Sequence, residues 1–328
     1  MKNKKILLAN ILLLVALLLF ILIPYTVNIL FKLNRSINGD TSLLLSGGTS
    51  VIALGGIALL YCRITKRAFN KVMVIKKISI NQVFLTVSVA VGTYIFAVGV
   101  NSVSMKLFPV AINDGMAISK LLSSSSLFLG LMVVVLLPAF FEEVFFRGIF
   151  LDAYEELNKK MKYILITAIF ATFHGNVMQI IYVLFLGFIL LKVREYTGSL
   201  VGSMTLHAAN NAISFIISKA VMNYTNIVKA GKNGVIDPAQ AAATTAAMNA
   251  SFIVVMLRAS IFFLIGGAIL YINLRKLKEY KEKKDSSELI IDNYALRERE
   301  EIIHIEKKEY IPLIIYFISM TVLVVLRY

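Results

Sequence analysis

Two adjacent glutamates, Glu142 and Glu143, sit inside an apolar run, with Leu136-Leu137-Pro138-Ala139-Phe140-Phe141 before them and Val144-Phe145-Phe146-Arg147-Gly148-Ile149-Phe150 after. Each ionised side chain near the centre of a membrane span costs about 2.5–3.5 kcal/mol on insertion scales. Two on consecutive positions therefore call for partners, protonation or water. Three further polar side chains stand in apolar runs: His174, His207 and Asn211. A carboxylate, two imidazoles and an amide are groups that move protons and stabilise developing charge.

Spacing separates the two glutamates. Glu143 and Arg147 are at i, i+4 and share a helix face, as do His207 and Asn211. Glu142 points roughly 100° away from Glu143 and gains no such partner. A water held between Glu142 and His174 would be deprotonated and aimed at a carbonyl, with His207 and Asn211 donating to the oxyanion. That is peptide-bond hydrolysis. A second version places Zn²⁺ on His174, His207 and Glu142, with the metal activating the water. The soluble pattern H-E-x-x-H is absent. The bland alternatives are helix–helix glue for either histidine and a structural ion pair for Glu143–Arg147. Arg258, in another apolar run, reads as a counter-charge for the glutamates or as a snorkelling residue.

These groups need helices to hold them. The chain has 328 residues, 58% of them hydrophobic, above the 45–50% or so of soluble domains. Apolar runs of about 20 residues recur along it, which predicts an all-α, polytopic transmembrane helical bundle. Nine spans are expected, at 6–31, 43–62, 82–105, 126–151, 162–175, 177–193, 198–219, 250–273 and 310–326. The first follows Lys2, Lys4 and Lys5, lacks a small-residue cleavage site, and reads as an uncleaved span. Segment 162–193 is too short for two full spans; a break at Gly175-Asn176 gives two short helices, and the alternative is one long helix and eight spans.

Charge favours nine. With the N-terminus cytoplasmic and the C-terminus outside, 24 of the 34 Lys and Arg fall in inside segments and eight outside. The net charge of +15 is thus accounted for by topology, and no nucleic-acid partner is expected. The segment 274–309 carries ten acids against ten basics and reads as a charged cytoplasmic arm, which includes His304. The single cysteine, Cys62, excludes an internal disulfide and a Cys-rich metal site. Three parts follow: N-terminal helices at 1–125, a core of four spans at 126–220, and C-terminal spans with the arm at 221–328.

Depth ties the polar residues together. From the cytoplasmic ends of their spans, Glu142 lies ~15 Å up, His174 ~18 Å and His207 ~14 Å, with Asn211 one turn further. Four polar groups on three helices thus share one layer. Pro138, four residues before Glu142, removes a backbone hydrogen bond and predicts a kink beside the carboxylate.

Three segments carry a resemblance: Glu142-Glu143-Val144-Phe145-Phe146-Arg147, Phe170-Ala171-Thr172-Phe173-His174 and His207-Ala208-Ala209-Asn210-Asn211. Together they resemble E-E-x-x-x-R, F-x-x-x-H and H-x-x-x-N of the CPBP family, the CAAX-processing and bacteriocin-processing (Abi) membrane proteases, or type II CAAX prenyl endopeptidase-like proteins. Arg147-Gly148 and Thr197-Gly198-Ser199-Leu200 also look like family features. The match covers about a third of the chain.

The resemblance implies an intramembrane endopeptidase. Glu142 would be the base, His174 the water-activating partner, and His207 with Asn211 the oxyanion site; Glu143 and Arg147 would support them. It leaves open a metalloprotease with Zn²⁺ or a metal-free glutamate mechanism. The implied partners are the lipid bilayer and a peptide or membrane-protein substrate, in a bacterial plasma membrane. Some relatives act as non-proteolytic scaffolds or immunity factors, which is the competing class. A proton-coupled transporter is a weaker fit, since no internal repeat is visible.

Overall fold

The computed structural model describes residues 2–30, 39–109, 124–231, 249–289 and 307–327, together with 112, 115, 118, 121 and 122. Among these residues every regular element is helical. The ten principal helices are α1 (Lys2–Leu30), α2 (Gly39–Thr65), α3 (Phe69–Met73), α4 (Ile80–Leu107), α5 (Leu127–Ala153), α6 (Lys159–Thr172), α7 (Val177–Thr197), α8 (Leu200–Gly231), α9 (Phe252–Leu289) and α10 (Ile311–Arg327).

Short polar side chains start several of them. Ser79 opens α4 with a reciprocal capping box: Gln82 N donates to Ser79 Oγ at 3.2 Å, and Ser79 N to Gln82 Oε1 at 3.0 Å. Asn158 caps α6 by accepting from Met161 N at 2.9 Å, and Asn176 caps α7 by accepting from Gln179 N at 2.8 Å.

Segment 162–193 is two helices, as the break at Gly175-Asn176 required. Gly175 adopts φ +65°, in the left-handed region that glycine occupies without a Cβ clash. The chain therefore reverses within His174–Asn176, and α6 and α7 pack side by side.

The described residues do not confirm the expected count of nine crossings. Six described helices are long and apolar enough to cross a membrane: Lys4–Leu30, Gly39–Thr65, Ile80–Leu107, Leu127–Ala153, Leu200–Val221 and Phe252–Lys283. Helix α10 is apolar but has 17 residues. Helix α6 has 14, rising about 21 Å against a hydrocarbon core of about 30 Å. Helix α7 has 21 residues and carries Lys192, Arg194 and Glu195 in its last turns.

One apolar cluster runs from Ile6 on α1 to Met320 on α10 and takes in residues from all three parts expected from the sequence. Helices α4 and α9 approach closely at glycines: a Cβ on Gly92 would lie 2.8 Å from an Ile269 methyl, and one on Gly266 only 2.6 Å from Phe96 N. The expected arm at 274–309 begins as a continuation of α9 to Leu289; positions 290–306, with His304, lie outside the described residues.

Candidate active site

The two glutamates stand where the α-helical turns Leu137–Glu142 of α5 give way to a π-helical stretch, Glu143–Ile149. Such wider turns inside helices recur at functional sites, because they re-aim side chains that a regular helix would place elsewhere. Pro138 lies one turn before, after a second π-helical stretch at Leu131–Leu136.

The expected Glu143–Arg147 pair is present. Arg147 Nη1 donates to Glu143 Oε1 at 3.1 Å, and neither side chain is exposed to solvent. Arg147 Nη2 also donates to the Gly187 carbonyl at 3.2 Å, and its guanidinium lies 4.0 Å from the centroid of the Phe170 ring. A buried cation is thus held by a carboxylate, a carbonyl and an aromatic face.

Glu143 has a second partner that the sequence did not suggest. His207 Nδ1, from α8, lies 2.9 Å from the same Oε1. An ionised carboxylate only accepts, so Nδ1 carries the hydrogen. The other ring nitrogen then faces Glu142: His207 Nε2 to Glu142 Oε2 is 3.9 Å. That is too long for a direct hydrogen bond and within the reach of one bridging water. Glu142 Oε2 is buried and has no hydrogen-bond partner among the described residues.

His174, at the end of α6, donates through Nδ1 to the Phe170 carbonyl at 2.9 Å, since a carbonyl can only accept. Its Nε2 is left for another partner. Phe170 is the hub between the imidazoles. Its centroid lies 5.1 Å from the His174 ring and 6.1 Å from His207, both edge-on, and its face carries Arg147. His174 stands within electrostatic range of both Glu142 and His207.

Asn211 is engaged elsewhere than expected. Its Nδ2 donates to the Val134 carbonyl at 3.0 Å. Val134 is four residues before Pro138, so its carbonyl is the one a proline leaves without an α-helical donor. The amide of α8 takes over that role and ties α5 to α8 one turn before Pro138. One N–H of the amide remains. The neighbouring Asn210, which sequence reasoning passed over, is buried and donates to the Tyr182 hydroxyl of α7. Arg258 is exposed on α9 and makes no ion pair with the glutamates among the described residues; Arg147 is the arginine paired directly with Glu143.

The donor types of Glu142, His174 and His207 suit zinc, and both histidines present Nε2 while Nδ1 is hydrogen-bonded. Yet no three or more His, Cys, Asp or Glu among the described residues are grouped closely enough to hold a metal ion. The arrangement as it stands does not fit the ion.

A family model described as Type II CAAX prenyl endopeptidase Rce1-like matches residues 124–213. The resemblance carried by the three motifs is therefore borne out over that segment, which holds every residue of the site. A match to this family implies a protease, and with the apolar helices it implies an integral membrane protein. No curated protein and no solved structure matches the chain.

Proposed function

We propose that residues 124–213 form an intramembrane endopeptidase site that hydrolyses a peptide bond of a membrane-associated peptide or protein. The observation that carries it is the approach of Glu142 Oε2 to His207 Nε2, 3.9 Å apart, with the carboxylate oxygen buried and unpaired.

In this reading Glu142 is the general base. It takes a proton from a water that it orients together with His174 Nε2, and the water oxygen attacks the scissile carbonyl carbon. The carbonyl oxygen becomes the oxyanion. His207 Nε2 and the remaining N–H of Asn211 are its donors. For His207 to donate there it carries both ring protons, because Nδ1 already donates to Glu143. Collapse of the tetrahedral species breaks the C–N bond, and Glu142 returns the proton to the leaving amine. Glu143 acts on His207, holding the ring by Nδ1, and Arg147 neutralises the charge that this requires.

The orientation proposed from charge puts the N-terminus in the cytoplasm, with the basic ends of α6 and α7 on the same side.

Purified protein in lipid vesicles, incubated with membrane-anchored peptides including prenylated C-terminal tails, should release defined fragments seen by mass spectrometry. Glu142→Gln should lower the rate by about 10²–10⁴, the usual contribution of a general base, while the thermal midpoint holds. Cleavage by that variant at the parental rate rejects the mechanism. A cellular phenotype that survives both Glu142→Gln and His174→Gln would instead indicate a non-proteolytic scaffold or immunity protein.

A further inference from the structure

We propose that the groove between α6 and α7 is a binding site for an anionic phospholipid. The groove encloses about 650 Å³, and neither glutamate nor either site histidine lines it. Its walls are apolar: Ile164, Leu184 and Phe188 are 53%, 40% and 43% exposed. Its mouth is basic, formed by Lys159, Lys160 and Lys192 around Tyr163.

The charges at the mouth are only partly compensated, three lysines standing around one carboxylate, Glu195. Lys159 Nζ donates to Glu195 Oε1 at 2.6 Å, and the Tyr163 hydroxyl donates to the other oxygen of Glu195. The nearest acid is therefore already taken up. Lys160 and Lys192 make no ion pair among the described residues. Lys192 is instead held by aromatic faces, its ammonium 5.2, 5.5 and 5.7 Å from the ring centroids of Tyr163, Phe188 and Tyr196. Those rings fix a cation in place without neutralising it. Behind Lys159 and Tyr163 a second recess of about 440 Å³ brings Lys162, Arg194 and Lys281 to the same end of the bundle.

An apolar trough that ends in a ring-held cation, Lys192, with Lys159 and Lys160 beside it, matches one chemistry. An acyl chain fills the trough and an anionic headgroup meets the lysines. A zwitterionic lipid would bring its own cation against Lys192. A soluble anion would leave the exposed walls uncovered. The site uses none of the proposed catalytic residues, so it stands or falls independently of the protease reading.

The chain contains no tryptophan, so Phe188→Trp supplies a unique fluorophore inside the groove and keeps an aromatic face for Lys192. The variant is reconstituted in phosphatidylcholine vesicles that carry equal mole fractions of brominated phosphatidylglycerol or brominated phosphatidylcholine. The anionic lipid should quench at a several-fold lower mole fraction. Adding Lys160→Gln with Lys192→Gln should erase the difference, while Lys66→Gln, a lysine elsewhere on the surface, should leave it. Equal quenching by the two lipids overturns the proposal. So does relief of the quenching by inorganic phosphate alone, which would assign the lysines to a free anion. Displacement of the brominated lipid by an uncharged farnesylated peptide as effectively as by unlabelled phosphatidylglycerol would also overturn it, by assigning the trough to a prenyl tail.

Discussion

Glu143 Oε1 accepts the Nδ1 hydrogen of His207 at 2.9 Å across 64 positions of sequence, while the same oxygen takes a hydrogen bond from Arg147. The glutamate that looked merely structural is the link between the buried cation and an imidazole aimed at the other glutamate. Its two contacts can be separated by substitution.

Removing Glu143 alone leaves Arg147 buried and unpaired. Glu143→Leu should therefore cost about 3–5 kcal/mol, the range for breaking a buried pair from one side, read as a lowered thermal midpoint in detergent. Replacing both partners, Glu143→Leu with Arg147→Met, should recover most of that stability. Peptide cleavage should stay lost in the double variant, because His207 no longer has its Nδ1 partner. A double variant that is both stable and active would show that the hydrogen bond to His207 is dispensable.

Asn211 and Pro138 should be coupled through the Val134 carbonyl. Asn211→Ala strips that carbonyl of its donor in the parent. In a Pro138→Ala background the restored backbone N–H can serve instead. A double-mutant cycle on unfolding should give an interaction of about 1 kcal/mol, the scale of one net hydrogen bond. Strict additivity would mean that the amide is not replacing the backbone donor.

Gly148 follows Arg147 because there is no room for more. A Cβ there would lie 2.1 Å from Met73 Sδ, and Met73 is fully buried under α5. Gly148→Ala should destabilise by about 1–3 kcal/mol, as overpacking does. In a Met73→Ala background, itself destabilised by the lost packing, the added cost of Gly148→Ala should shrink, measured as the midpoint of thermal unfolding.

Gly175 tests the turn that places His174. The nearest atom to an added Cβ is Met320 Cε at 3.7 Å, so sterics are permissive while φ is +65°. Gly175→Ala should cost roughly 1–2 kcal/mol from the left-handed backbone alone. Gly175→Asn should cost less, because asparagine tolerates that region. Equal stabilities for the two variants would locate the effect outside the backbone.

What the sequence determined by itself was local. Apolar runs longer than a bilayer is thick announced helices. The i, i+4 spacing announced the Glu143–Arg147 pair, and Gly175-Asn176 announced the division of α6 from α7. Each depends on neighbours within a turn or two of the chain, where geometry is set by the helix itself. Counting residues along each span also put Glu142 and His207 at similar depth, and the two side chains lie 3.9 Å apart. Depth does not give rotation about the helix axis. Only tertiary packing decided that His207 turns one nitrogen to Glu143 and the other to Glu142, and that Asn211 spends an N–H on the carbonyl freed by Pro138. Counting along the sequence gave Glu143 only its neighbour Arg147, because His207 reaches the same carboxylate oxygen from another helix, 64 positions away.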